Sequence, residues 1–248
     1  MSRFWDAHAR TIDPERFRAH DQYLSQRDIP YEELARFIGG MTLDRLGGED
    51  GAFGCETAMV DGRMVSRDLL DSALEIDFAS PILQPETNVV DIGAGYGRLA
   101  HRWTLARRED TYLCTDPVGV SRNVCRRYLQ HRHISFAMVT SPEDSEPWLP
   151  GIQLAINVHS WSECTPDEVA WWMERLARAR VQRLFVVPHH QDFRCFDAGT
   201  AGVDNRGGGH PGEFRSVIER HGYTLEYARE AWPSFYPKYY YMFRRNDR

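Results

Sequence analysis

The segment Val89-Val90-Asp91-Ile92-Gly93-Ala94-Gly95-Tyr96-Gly97-Arg98-Leu99 constrains this chain more than any other. An apolar run ends in an acid, passes three glycines at alternate positions and leads into a helix-like stretch. The run reads as a buried parallel strand, and the glycines let the backbone turn tightly with a ligand lying against it. A helix start placed there offers free N–H groups and the positive end of a dipole, which suit an anionic group of a cofactor. The spacing narrows the choice. A dinucleotide loop runs G-x-G-x-x-G, whereas Gly93, Gly95 and Gly97 sit at every second position behind Asp91. A phosphate loop for ATP or GTP needs a lysine that this loop lacks. The plain alternative is an ordinary strand-to-helix turn.

The pattern D-x-G-x-G-x-G resembles motif I of the class I S-adenosylmethionine (SAM) dependent methyltransferases. The resemblance implies that Gly93 and Gly95 wrap the methionine part of SAM, that Asp91 lies near its amino group, and that S-adenosylhomocysteine is the product. Thr111-Tyr112-Leu113-Cys114-Thr115-Asp116 looks like the second strand of that family, whose terminal acid takes both ribose hydroxyls. A carboxylate suits that task because it accepts two hydroxyl protons at once.

The rest of the chain supports an α/β fold. After Thr87, strand-like runs at 88–92, 111–116, 134–139, 153–159, 183–189, 223–231 and 238–244 alternate with helix-like runs near 97–108, 119–131, 166–180 and 212–221. This pattern predicts a doubly wound sheet, and the resemblance implies a Rossmann-like class I methyltransferase fold: a mostly parallel seven-stranded sheet with an antiparallel edge strand and an N-terminal helical cap. Residues 88–248 form the catalytic domain, and residues 1–87 form the cap, with helices at 13–26, 31–46 and 66–80, as an extension of the same domain. Pro166-Asp167-Glu168 is a helix start, and Ser66 caps the helix before the first strand.

Bulk properties exclude several partners. A net charge of −6 without a dense basic block argues against a sequence-independent grip on nucleic acid. Five cysteines without a C-x-x-C pair fit reduced thiols in a cytoplasmic protein better than a disulfide framework or a zinc site. No signal peptide and no membrane-spanning run is expected, and an apolar N-terminal cap leaves room for a homodimer.

The second informative segment is Asn157-Val158-His159-Ser160-Trp161-Ser162-Glu163, where the fourth strand ends. Ligands of open parallel sheets bind beyond the carboxyl ends of the strands, so His159 leaves the sheet where the methyl group should point. A neutral imidazole there can take the proton of a hydroxyl acceptor as the new bond forms, which makes His159 the candidate general base. Glu163 has three readings: it orients His159, grips an acceptor hydroxyl, or is a solvated acid before a helix. Asn157 is a candidate lining residue near the methyl group. Thr140-Ser141-Pro142-Glu143 stands where the family's third strand feeds an adenine contact, with Ser141 as the candidate and the usual acid displaced.

Together with Ser66-Arg67-Asp68-Leu69-Leu70-Asp71-Ser72, the glycine loop and the His159 segment resemble the sugar O-methyltransferases, a bacterial branch of the class I enzymes, over roughly residues 60–245. By this resemblance Arg67 reaches the carboxylate of the cofactor, which a guanidinium can hold in bidentate fashion. An aromatic ring can pack on the apolar face of a pyranose, which nominates Trp161 and Tyr236 as acceptor contacts, while Trp171 and Trp172, adjacent on a helix, read more as core. His189 and His190 end the fifth strand. They are assigned acceptor hydrogen bonds in preference to a divalent metal, because adjacent residues of an extended strand point apart. The long polar segment 199–212 is either a lid ordered by the acceptor or a surface loop. The expected activity is therefore O-methylation of a sugar or oligosaccharide. The rivals are the same fold acting on a phenol or carboxylic acid, and a SAM-binding interaction domain without catalysis.

Overall fold

The computed structural model of the protein describes residues 31–47, 57–108, 110–189, 191–195, 212–232 and 238–246. The N-terminal elements are α1 (Tyr31–Ile38), α2 (Gly40–Leu46), β1 (Thr57–Val60), β2 (Arg63–Ser66) and α3 (Arg67–Ala79). There follow β3 (Val89–Ile92), α4 (Arg98–Ala106), β4 (Tyr112–Thr115), α5 (Gly119–His131), β5 (Ala137–Thr140) and β6 (Leu154–Val158). The chain continues through α6 (Pro166–Arg178), β7 (Arg183–Val187), α7 (Arg215–Arg220), β8 (Tyr223–Trp232) and β9 (Lys238–Arg245).

Strands β3 to β9 make one seven-stranded sheet in the order β5-β4-β3-β6-β7-β9-β8. The first five strands pair in parallel, and β9 is antiparallel to both neighbours. The antiparallel strand is thus one place in from the edge, and β8 forms the edge itself, which refines the expected edge position. Every residue of β3 and β4 is buried, as a sheet covered on both faces requires. Alternate side chains feed two cores. Val89, Tyr112, Leu154 and Phe185 pack with α3, α4 and α5, while Val90, Leu113, Ala155 and Leu184 pack with α6 and α7. The chain moves outward from β3 to β5 and then returns to the other side of β3 with β6, so the order reverses there and opens a crevice at the carboxyl ends.

Local chemistry explains where elements stop. Ser66 caps α3 through the Leu69 N–H at 3.0 Å, as its sequence position predicted. Thr165 and Glu168 form a reciprocal capping box at the start of α6, with Pro166 in the first turn. The expected helix 31–46 is two helices, because Gly39 adopts φ 85° between them. Strand β5 begins three residues later than expected: His133 takes φ 56° and the Ile134 N–H returns to Leu129 O at 2.9 Å, so the chain is still closing α5. The hairpin β1–β2 was not anticipated. Its two-residue turn is Asp61-Gly62 with φ 49° and 76°, the geometry that favours such a dipeptide. The expected helix 13–26 and nearly all of segment 199–212 lie outside the described residues.

Candidate active site

At the carboxyl ends of β3, β4 and β6 lies a cavity of about 420 Å³, within the usual range for small-ligand sites. The glycine loop forms its floor. Gly93 and Ala94 N–H groups donate to Thr115 O at 2.8 and 3.0 Å, which ties the loop to the end of β4. Gly93 has φ 79°, and a Cβ there would stand 2.2 Å from Ser160 Oγ. Only glycine fits both the turn and this close approach.

Asp116, one residue past β4, reaches back to the loop. Its Oδ2 accepts from the Gly95 N–H at 3.1 Å and its Oδ1 from the Val118 N–H at 2.8 Å, leaving a second lone pair on each oxygen for a ligand. Burial raises its carboxyl to about 7, against the lowering effect of those two N–H groups. Asp91 is likewise raised to about 7, chiefly by burial, while the Tyr112 hydroxyl at 2.9 Å and the charge of Arg98 pull the other way. Two buried carboxyls flanking a glycine loop form a setting in which a hydroxyl-rich, partly cationic ligand gains most.

Several expected residues lie elsewhere. Arg67 donates from Nε to Asp71 at 3.3 Å and does not line the cavity. The guanidinium that does is Arg98, directly after Gly97, held by both oxygens of Glu75 at 2.8 Å and by Ser72 Oγ at 2.8 Å. Ser141 is engaged with Asp144 at 2.7 Å, and the cavity wall at the end of β5 consists of Pro142 and Glu143 instead. Asn157 is a brace and not a lining residue. Its Nδ2 donates to Ile92 O at 2.8 Å and to Ser160 Oγ at 2.6 Å, and its Oδ1 accepts from the Trp161 N–H at 3.1 Å. This bracket joins the end of β3 to the turn after β6. A polar side chain at the end of a buried strand is the sequence signal for such a brace.

His159 leaves β6 with φ 68°, an uncommon conformation for a residue other than glycine, and lines the cavity. Its ring lies parallel to that of His189, with centroids 4.4 Å apart and planes inclined by 10°. His189 Nε2 in turn stands 3.4 Å from Glu163 Oε1, so the structure brings together His159, Glu163 and His189. Trp161 contributes to the wall, but its ring is fully buried against Phe214, so it offers no open face. The turn between Ser160 and Glu163 rotates it into the core below α6. Of Trp171 and Trp172, at least one of which was expected as core, Trp172 is buried in the core and Trp171 packs half-buried against it. Both also line the cavity from α6, and the Arg175 guanidinium covers Trp171 at 3.5 Å. His190 and Tyr236 lie outside the described residues. Among the described residues, no group of three or more His, Cys, Asp or Glu side chains could hold a metal ion, and no helix is long and apolar enough to cross a membrane.

No protein-family model matches the chain, and no curated protein matches its sequence. Solved structures do. The precorrin-6y C5,15-methyltransferase of Geobacter metallireducens matches 82% of this chain and 98% of its own at 13% identity, with a TM-score of 0.53. A SAM-dependent methyltransferase of Aquifex aeolicus matches 68% of this chain and 87% of its own at 15% identity and a TM-score of 0.50. WbdD is 22% identical over 71% of this chain, with a TM-score of 0.47, and this chain spans only 39% of its length. At these identities the likeness is one of architecture, and the chain has the Rossmann-like fold of the SAM-dependent methyltransferases.

Proposed function

We propose that the protein is a SAM-dependent O-methyltransferase that methylates a hydroxyl of a sugar or glycoside, with His159 as general base. The observation that carries this reading is the layout of a single cavity. The glycine loop, Asp116 and a histidine at the end of the neighbouring strand all line it. Asp116 holds the ribose hydroxyls, and Asp91 and Arg98, which line the same cavity, face the methionine end. When bound, SAM supplies an electrophilic methyl group. His159 accepts the proton of the acceptor hydroxyl as that oxygen forms its bond to carbon, and alignment of the two reactants in the cavity supplies much of the acceleration. Trp171 and Trp172 add an apolar wall for the carbon face of the acceptor. The proposal assigns His159 and His189 to the acceptor and gives no step to a divalent metal.

The test is transfer of label from radioactive SAM to a panel of mono- and disaccharides, with and without EDTA. Labelled sugar that is insensitive to the chelator and falls by ~10²–10⁴-fold in His159→Ala is expected for base catalysis. Undiminished transfer by His159→Ala would point to an acceptor that is already ionised, such as a carboxylic acid. Loss on chelation would place a metal in the mechanism.

A further inference from the structure

Glu163 ends the short turn (Ser160–Glu163) that follows β6, and its side chain lines the same cavity as His159. Its two oxygens have different surroundings. Oε1 faces Nε2 of His189 at 3.4 Å, whereas Oε2 is buried and has no hydrogen-bond partner among the described residues. A buried acceptor left in this state carries its full desolvation penalty, so native structures rarely keep one unless something else satisfies it.

Nearby donors of the chain are already engaged. The His189 N–H donates to Ser162 Oγ at 3.0 Å, and the Cys164 N–H donates to Trp161 O at 3.2 Å. Both the N–H and the hydroxyl of Thr165 serve Glu168, at 2.7 and 3.1 Å. Among the described residues these donors leave Oε2 unserved, and a hydroxyl of a molecule in the cavity can supply the missing hydrogen bond. Glu163 and His159 both touch the imidazole of His189, one through a hydrogen-bond contact and one through the stacked face, so a ligand that meets one of them has the other close by.

Resting on the sugar methyltransferase reading, we infer that Glu163 Oε2 accepts a hydrogen bond from a second hydroxyl on the acceptor ring, next to the hydroxyl that His159 deprotonates. The site then selects diols over acceptors with a lone hydroxyl. A cofactor hydroxyl is the less suited donor, because Asp116 already offers the ribose both of its oxygens, and the charge of Glu163 opposes that of Asp116. No bond is made or broken at Glu163: it positions the acceptor so that one defined oxygen meets the base.

The experiment compares methyl hexopyranosides with their monodeoxy counterparts as acceptors of label from SAM, for the wild type, Glu163→Gln and Glu163→Ala, with S-adenosylhomocysteine affinity measured in parallel by calorimetry. The wild type is expected to prefer one intact diol over its deoxy counterpart by ~10–100-fold in kcat/KM. In Glu163→Ala this preference collapses while cofactor affinity holds. Glu163→Gln, which keeps the volume and one accepting oxygen, shows an intermediate preference and serves as the readout if the alanine variant fails to fold. A preference that survives in both variants overturns the inference. So does a wild type without discrimination, or a loss of cofactor affinity that accompanies the loss of preference. Label appearing only in phenols or carboxylic acids defeats the sugar reading and this inference with it, whereas labelled sugars without deoxy discrimination defeat the inference alone.

Discussion

Asp91 is buried at a cost that depends on pH. Its carboxyl ionises at about 7 in the folded chain, against an ordinary 3.8. Between those values the folded chain holds a proton that the unfolded chain has released, so the contribution of Asp91 to stability falls as pH rises through that window. Asp91→Asn removes the ionisation and keeps an oxygen to accept the Tyr112 hydroxyl. In differential scanning calorimetry the ligand-free variant is expected to melt a few degrees above wild type near pH 8, with the gap narrowing as pH falls below about 7 and closing only near about 4. Its affinity for SAM is expected to be lower than that of wild type. Asp91, Asp116 and His159 were legible as residues because each ends a buried strand at the side where such sheets bind ligands. Trp161 was harder to place: its neighbour His159 faces the cavity, but a tight turn sends the indole into the core, a rotation that spacing alone does not encode. Arg67 and Arg98 pose the same difficulty, since two arginines lie close to the loop in space and only packing decides which one lines the cavity.

At the scale of elements, the strand–glycine–helix unit and the turn after β6 form one assembly. Ser160 Oγ donates to Ile92 O at 2.9 Å and fills the space that a side chain on Gly93 would need. Gly93→Ala is therefore expected to break the Asn157–Ser160–Ile92 bracket and to cost about 2–4 kcal/mol in chemical denaturation, from the positive φ and overpacking together. The parallel strands were readable as apolar runs because both faces of the sheet are covered. The β1–β2 hairpin escaped notice because Met59 and Met64 are exposed, which erases the alternation that marks a half-buried strand, although the Asp61-Gly62 turn is a usable signal.

Across the molecule, α3 links the N-terminal region to the seven-stranded sheet. Arg98 and Glu75 form a buried bidentate pair between α4 and α3, and Tyr227 from β8 donates to Phe78 O at 2.9 Å. Removing one partner strands the other charge in the core, so Glu75→Ala is expected to lower stability by about 3–5 kcal/mol, measured by denaturant unfolding. One hydrophobic core holds residues of α1, α2 and α3 together with residues of the sheet. The helical character of residues 66–80 was plain from Ser66 and the leucines after it. The pairing of Asp68 with Tyr96 and of Glu75 with Arg98 was not legible, because nothing in the helix segment names such distant partners.

The place of β9 between β7 and β8 has a consequence for synthesis. A ribosome delivers β8 before β9, yet β8 has no neighbour in the sheet except β9. Until the last strand emerges, the nascent chain carries the long ribbon of β8 unpaired beside the open edge of β7, two surfaces that invite pairing with another chain. Insertion of β9 then satisfies the facing edges of both strands in one step.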